Sequence, residues 1–299
     1  MIRLLLTGGS GFLGSSILSA ITNFCDVSIL SRSKGDYKLC LENEVPRFNH
    51  DFDIVVHSAG LAHFSPKDIV DVNLFHQVNV VGTQNLLKGL ELRSVPERFV
   101  FISSVAVYGE TTGILINEQS KSKAVDPYGR SKSQAETLVL QWCTVNNVKC
   151  TILRLPLVID ISPPGNLGAM IKGIQGGYYF NIAGGTAKKS MVLASDVAKI
   201  LIRASEFGGI FNLTDGYHPS FVELSMSIST QLGKSHPVSI PLGLARIFAI
   251  GGDLIGRHAP LNTDKLNKIT STLTFDDSKA VSTFGWEPTP VLEGFKINI

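Results

Sequence analysis

Three side chains in this 299-residue sequence have the types and spacing to move a proton. Tyr128 and Lys132 stand four apart in Pro127-Tyr-Gly-Arg-Ser-Lys132, so a helix would put them on one face. A phenol, with an ordinary pKa of about 10, is a poor acid or base at neutral pH. An ammonium close by stabilises the phenolate and lowers that value. Ser104, at the end of an apolar run, can hydrogen-bond the same substrate oxygen. Such a trio exchanges a proton with a hydroxyl or carbonyl while a bound dinucleotide moves hydride. Tyr-x-x-x-Lys alone is common on exposed helices, and its weight here rests on the elements around it.

An apolar run over residues 2–6 enters Thr7-Gly-Gly-Ser-Gly-Phe-Leu-Gly14, and an amphipathic stretch over residues 12–21 follows. That order is strand, glycine turn, helix. Gly8 permits the tight turn, Gly11 lets the backbone approach a pyrophosphate, and Gly14 lets helix and strand pack closely. Phe12 and Leu13 open the helix, whose free N–H groups and positive dipole end face the phosphates. Residues 27–30 read as a second strand, which makes the opening a right-handed parallel crossover. Folds of this kind that hold NAD place an acid at the end of that strand, and an arginine nearby accommodates the 2′-phosphate of NADP. Here the strand ends Leu30-Ser31-Arg32-Ser33-Lys34, with no acid. NADP is the expected cofactor, with NAD the alternative.

A short strand is expected over residues 38–41 and a buried one over 53–57, whose exit Ser58-Ala59-Gly60 admits an adenine or ribose to the backbone. Residues 68–92 read as one long helix holding Asn79, which needs hydrogen-bond partners and reads as a structural tie. Residues 99–102 form a strand that delivers Ser103 and Ser104 to the carboxyl edge of a sheet, where open parallel sheets bind ligands. Pro127 then starts a helix to about residue 146. Ser195 and Asp196 read as the capped start of a later helix.

The net charge of +2 and the lack of a basic block point to no nucleic-acid partner. Cys25, Cys40, Cys143 and Cys150 have no C-x-x-C spacing and read as free thiols of a reducing compartment. His57 and His63 lie near each other without further ligands, so no metal site is expected. The apolar run over residues 240–256 is broken by Arg246, Asp253 and several glycines. It is too short to span a bilayer and reads as a helix packed on a smaller lobe. The expectation is a cytoplasmic protein with no membrane role.

Taken together, Thr7-Gly-Gly-Ser-Gly-Phe-Leu-Gly14, His57-Ser-Ala-Gly60, Asn79-Val-Val-Gly-Thr83, Ser103-Ser-Val-Ala-Val-Tyr-Gly109, Pro127-Tyr-Gly-Arg-Ser-Lys132 and Leu153-Arg154 resemble the extended short-chain dehydrogenase/reductase family. The likeness is to its NAD-dependent epimerase/dehydratase group, which acts on nucleotide sugars. Ser195-Asp-Val-Ala198, Phe211-Asn-Leu-Thr-Asp-Gly216 and Phe284-Gly-Trp-Glu-Pro288 extend it over almost the whole chain. The resemblance implies an α/β Rossmann-type doubly wound parallel sheet of about seven strands with a smaller C-terminal substrate lobe. The dinucleotide-binding domain would span residues 1–156 with returning segments near 190–215, and the substrate lobe mainly residues 157–299. It places the family's catalytic serine, tyrosine and lysine on Ser104, Tyr128 and Lys132. It also implies a homodimer through the helices holding Asn79 and Tyr128, and a nucleotide-sugar substrate touched by Lys189 and by Asn166, in a loop over residues 162–167, with capping of the next helix the alternative role for Asn166.

Departures from the family narrow the chemistry. Sugar dehydratases carry an Asp-Glu pair after the catalytic serine or threonine, where this chain has Val105-Ala106, and hydrocarbon cannot shuttle protons. Many 4-epimerases carry an aspartate at the Ser31 position and an asparagine shortly after the Leu-Arg pair, where Leu153-Arg-Leu-Pro-Leu-Val158 is apolar. A 4-ketoreductase and a 4-epimerase remain the two expectations. The alternatives are an NADPH-dependent reductase of a non-sugar ketone or aldehyde and a non-catalytic dinucleotide sensor.

Overall fold

The computed structural model describes residues 1–62, 69–161, 163, 165–256, 259 and 261–297. Its centre is β1 (Ile2–Thr7), whose Leu4, Leu5 and Leu6 are wholly buried on both faces of a sheet. A strand covered on both sides by helices reads as an unbroken apolar run, and this one does. β1 pairs in parallel with β2 (Cys25–Ser31) on one side and β4 (Ile54–His57) on the other. The sheet extends through β3 (Tyr37–Lys38) at one edge, and through β5 (Arg98–Ser104), β7 (Lys149–Leu155) and β11 (Gly209–Asn212) to the other. All seven strands are parallel, in the order β11-β7-β5-β4-β1-β2-β3. The order reverses between β1 and β4, and a doubly wound sheet binds its ligand at that switch point.

Helices α1 (Phe12–Ile21) and α6 (Ala194–Ala204) cover one face, and their Ile17, Ile21, Val197 and Leu201 share a core with Leu4, Leu6 and Val56. Helices α3 (Gly82–Glu91) and α4 (Pro127–Val145) cover the other with Leu86, Leu90, Ala135 and Val139. A smaller lobe is built from three parallel two-stranded ribbons: β6 (Gly113–Ile116) with β13 (Leu273–Phe275), β8 (Leu157–Ile159) with β10 (Met191–Leu193), and β9 (Asn181–Ile182) with β12 (Ser239–Ile240). Around them lie α5 (Gly165–Gln175), α7 (Phe221–Gln231), α8 (Leu242–Ile255), α9 (Thr263–Thr270) and α11 (Val291–Gly294), while α10 (Ser278–Phe284) packs on β11 with Ala280 and Phe284 in the core of the large sheet. Between β10 and β11 the chain returns to the large sheet: α6 packs on α1, and β11 adds the edge strand.

Three local expectations change. The short strand expected over residues 38–41 is Tyr37–Lys38. The helix expected over residues 68–92, whose first residue lies outside the described set, is α2 (Ile69–His76), a π turn Gln77–Val81, and α3. Leu193, not Ser195, occupies the N-cap of α6, and it donates no side-chain cap. Asp196 lies in the first turn, where its Oδ2 accepts from the Thr289 N–H at 2.7 Å and ties the C-terminal segment to α6.

Candidate active site

Ser104 closes β5, and its Oγ accepts from the Ala106 N–H at 3.2 Å, starting a short 3-10 turn over Val105–Tyr108. α4 starts where Asp126 caps the Gly129 N–H at 2.9 Å, with Pro127 in the first turn. Gly129 presses that start onto the turn after β5. A Cβ there would lie 2.5 Å from the Ala106 carbonyl oxygen, so only glycine allows the approach. This brings the Tyr128 phenol toward the Ser104 hydroxyl. The Phe75 ring, 5.9 Å away between centroids, backs the phenol.

One turn on, Lys132 is 6% exposed. Its Nζ donates to the Ile102 carbonyl at 2.6 Å and sits 4.2 Å from the Phe101 ring centroid. A Cβ built on Gly60 would stand 3.9 Å from that Nζ, so the exits of β4 and β5 meet at the lysine. Burial lowers the Lys132 pKa to about 8, against the pull of the Glu136 carboxylate. Burial raises the Tyr128 pKa above its ordinary value of 10, with the Ser104 hydrogen bond acting the other way. The lowering expected from Lys132 does not outweigh that burial. In this arrangement Tyr128 is a neutral phenol, a proton donor.

Buried hydrogen bonds hold these groups in place. Glu136, two turns beyond Tyr128 on the same face, accepts from Arg154 Nε at 3.0 Å, Arg154 Nη2 at 2.6 Å and Ser103 Oγ at 2.5 Å. The clamp joins α4, β5 and β7 beside Ser104. Sequence reasoning missed Glu136, although 128, 132 and 136 form one i, i+4, i+8 stripe. Asn79, in the π turn, accepts from the Leu61 N–H at 2.7 Å and donates to the Leu61 carbonyl at 3.1 Å and to Ser131 Oγ at 2.9 Å. It ties the loop after β4 to α4. His57 has a pKa lowered by burial to about 3. It lies between Thr7 Oγ1 at 2.7 Å and Thr83 Oγ1 at 2.9 Å. Thr83 Oγ1 donates to the Asn79 carbonyl at 2.7 Å, so it accepts from Nε2–H, and Nδ1 accepts from Thr7. Thr7 in turn accepts from the Ala59 N–H at 3.1 Å. The proton order along this chain assigns the neutral Nε2–H tautomer.

The glycine turn fits a pyrophosphate. Gly8 has φ +73°, and a Cβ on Gly14 would lie 2.1 Å from the Gly8 carbonyl oxygen, so loop and helix touch backbone to backbone. Gly11 is the N-cap of α1 and brings no capping side chain, which leaves the first-turn N–H groups at Phe12, Leu13 and Gly14 open to an anion. At the end of β2, Ser31 Oγ is bonded to the Lys34 backbone. The nearest following carboxylate, Asp36, is spent on the Ile29 N–H at 2.8 Å. Arg32 is exposed, and among the described residues no hydrogen bond or ion pair holds it. Ser58, Ala59 and Gly60 stand at the exit of β4, half-buried or exposed beside the glycine turn, where a Cβ on Gly8 would meet the Ala59 N at 2.7 Å.

The two expected substrate contacts fall in the small lobe. Asn166 is not in a loop: it lies exposed in the first turn of α5, where Gly165 begins the helix. Ser162 and Pro164 lie outside the described residues. Lys189 is half-buried between β9 and β10, and burial lowers its pKa. Its backbone N–H donates to Pro219, and among the described residues no carboxylate pairs with its ammonium. Neither residue makes a hydrogen bond with Ser104, Tyr128 or Lys132. All four cysteines are free thiols, and among the described residues no cluster of metal-ligating side chains forms.

Comparison with known proteins follows this geometry. The chain is 27% identical to a UDP-glucose 4-epimerase of Vibrio cholerae over 98% of its own length and 93% of the relative's. In fold it matches the structure of RMD from Pseudomonas aeruginosa complexed with NADPH, at TM-score 0.73 and 21% identity, covering 96% of this chain and 94% of that one. It also matches Thermus thermophilus UDP-glucose 4-epimerase complexed with NAD, at TM-score 0.71 and 22% identity, covering 96% and 94%. The model of the NAD dependent epimerase/dehydratase family matches residues 4–213, from β1 through β11. The chain belongs to that family of enzymes.

Proposed function

We propose that the chain reduces the C4 ketone of a nucleotide-linked hexose with NADPH, Tyr128 giving the proton. The observation that carries this reading is the placement of the Tyr128 phenol, at the start of α4, beside Ser104 at the carboxyl edge of the sheet. A nicotinamide dinucleotide bound on the glycine turn supplies the hydride. The residues of the chain do the rest. Ser104 and Tyr128 hold the ketone oxygen by hydrogen bonds, and the Tyr128 hydroxyl passes its proton to that oxygen as it gains charge. Lys132, one turn further along α4, supplies a buried positive charge that favours the phenolate until solvent returns the proton. Lys189, a half-buried cation with no carboxylate partner, suits a substrate phosphate, and Asn166 on α5 suits the nucleotide.

The cofactor preference rests on the end of β2. Asp36 is engaged with Ile29, and Arg32 is free to meet a 2′-phosphate. The Pseudomonas neighbour's NADPH is consistent with this, and the Thermus neighbour's NAD keeps the other cofactor in the test. A second reading, 4-epimerisation with recycled cofactor, is favoured by the name of the Vibrio relative. One assay separates the two. Purified protein is offered UDP-, dTDP- and GDP-linked 4-keto sugars with NADPH or NADH, and the corresponding 4-hydroxy sugars with no added cofactor. Stoichiometric NADPH oxidation supports the reductase, and interconversion of 4-hydroxy epimers without net oxidation overturns it. Arg32→Ala should weaken NADPH about ten- to a hundredfold, the worth of a charged phosphate contact, and leave NADH unchanged.

A further inference from the structure

The sequence predicts that the apolar run over residues 240–256 packs on the small lobe, but α8 packs by its small residues. Ala245 and Ala249 are buried against Leu266 of α9. Gly252 lies so close to the chain beyond that a Cβ would stand 1.8 Å from the Leu261 carbonyl oxygen. The large side chains point outward: Leu244, Ile247, Phe248, Ile250, Leu254 and Ile255 are all exposed, Leu254 at 91%. At 100° per residue, positions 244, 247, 248, 250, 251, 254 and 255 fill one arc of about 160°, with no polar residue in it. A soluble helix buries its large apolar face, and this helix displays it.

The surroundings are cationic. Residues 231–270 carry Lys234, Arg246, Arg257, Lys265 and Lys268 against Asp253 and Asp264, a balance of +3 in a chain whose whole balance is +2. Asp253 is bound to the Thr263 N–H at 2.9 Å and to its hydroxyl at 2.5 Å, capping the start of α9. Tyr178, Phe180 and Val238 are exposed beside the β9–β12 ribbon that leads into α8. Phe180, Lys234 and Val238 line one cavity of about 230 Å³. An exposed apolar helix face in a stretch of chain rich in cations, with exposed aromatic rings before it, is the pattern of a helix lying in a lipid headgroup layer. It is not a span, since no helix among the described residues is long and apolar enough to cross a membrane. A two-fold dimer on this face would set the +3 segment against its own copy, like charge against like charge.

We propose that the outer face of α8 docks the protein on an anionic bilayer surface. The test uses the full chain and sedimentation with vesicles of phosphatidylcholine alone or with about one third phosphatidylglycerol, whose charge attracts basic segments. Partitioning should rise about tenfold on the anionic vesicles and fall again as salt is added. Ile247→Glu combined with Leu254→Glu should return it to the level of neutral vesicles. Both side chains are exposed, so the melting temperature should hold. Phe248→Trp should show a blue-shifted emission on anionic vesicles only. Equal sedimentation with both lipids, or an unchanged double variant, overturns the proposal. So does a double variant that halves the solution mass without lipid, because α8 is then a contact between copies.

Discussion

Tyr128 is asked to give up a proton, and the pKa directions say when it can. Burial holds the phenol neutral past its ordinary range, while Lys132 loses its charge near pH 8. Reduction needs both groups protonated, so kcat/KM for the ketone should be level at neutral pH and fall as pH rises through about 8. A profile that rises through that range would remove Tyr128 from the donor role. Tyr128→Phe should lower kcat by about 10²–10⁴, the usual worth of a positioned acid, with KM and melting temperature little changed. Lys132 shows the opposing cost. Its folded pKa of about 8 lies below the ordinary 10.5, so between those values the unfolded chain binds the extra proton and stability rises with pH. Below about pH 8 the buried charge destabilises the fold in full. Lys132→Met should therefore gain about 1–2 kcal/mol at pH 7, after the lost bond to Ile102 is allowed for, and abolish turnover. Urea melts of the two proteins at pH 7 and pH 10 should converge at the higher pH.

Helix α4 carries the site because three contacts fix its rotation and height: Gly129 on the Ala106 carbonyl, Asn79 on Ser131, and Glu136 on Arg154 and Ser103. The last is a buried ion pair, 6% and 5% exposed at its two side chains, and Arg154 Nη1 already lacks a partner among the described residues. Glu136→Gln leaves the guanidinium charge uncompensated and should cost about 3–5 kcal/mol, read as a lower urea midpoint at unchanged slope. A midpoint shift under 1 kcal/mol would mean that the pair is spectator to the fold. The stripe at 128, 132 and 136 was open to a reader of the sequence, yet only the first two were recognised. A glutamate on a helix is usually solvated, and its burial depends on Arg154, eighteen residues away on β7. The glycine turn, the placement of Ser104, Tyr128 and Lys132 on β5 and α4, and the seven-strand sheet were legible because local pattern dictates them: apolar runs, turn glycines, an i, i+4 pair. The π turn at Asn79, the uncapped start of α6 and the helical setting of Asn166 were not, since tertiary hydrogen bonds decide each of them. The outward face of α8 escaped for a related reason. Periodicity shows that a helix has an apolar stripe, and only packing shows which side of it the lobe takes.

The two lobes are threaded through each other, so the molecule behaves as one unit around the site. Asp215 accepts from the His218 N–H at 2.9 Å and the Val291 N–H at 3.1 Å, and Trp286 Nε1 donates to the Thr214 carbonyl at 2.9 Å. These bonds fasten the C-terminal segment to the chain that follows β11. What remains open at this scale is the outer surface. Family resemblance implies a dimer through the helices of Asn79 and Tyr128. Their exposed residues are Arg130, Gln134, Thr137, Gln141, Thr144 and Val145 on α4, Gln84, Lys88 and Glu91 on α3, and Asn73, Leu74, His76 and Gln77 on α2 and the π turn. Stable interfaces have an apolar core depleted of charge, and among these exposed residues only Leu74 and Val145 are apolar. A dimer formed there is held by hydrogen bonds between side chains that water satisfies equally well. It should dissociate with a constant above about 1 µM, weaker than roughly 8 kcal/mol of association. Sedimentation equilibrium across nanomolar to high-micromolar protein decides the point: the mass should fall from dimer toward monomer on dilution. A mass that stays dimeric at nanomolar concentration would show an interface elsewhere. The apolar α8 face, tested by the same run on the Ile247→Glu, Leu254→Glu protein, is then the surface to examine.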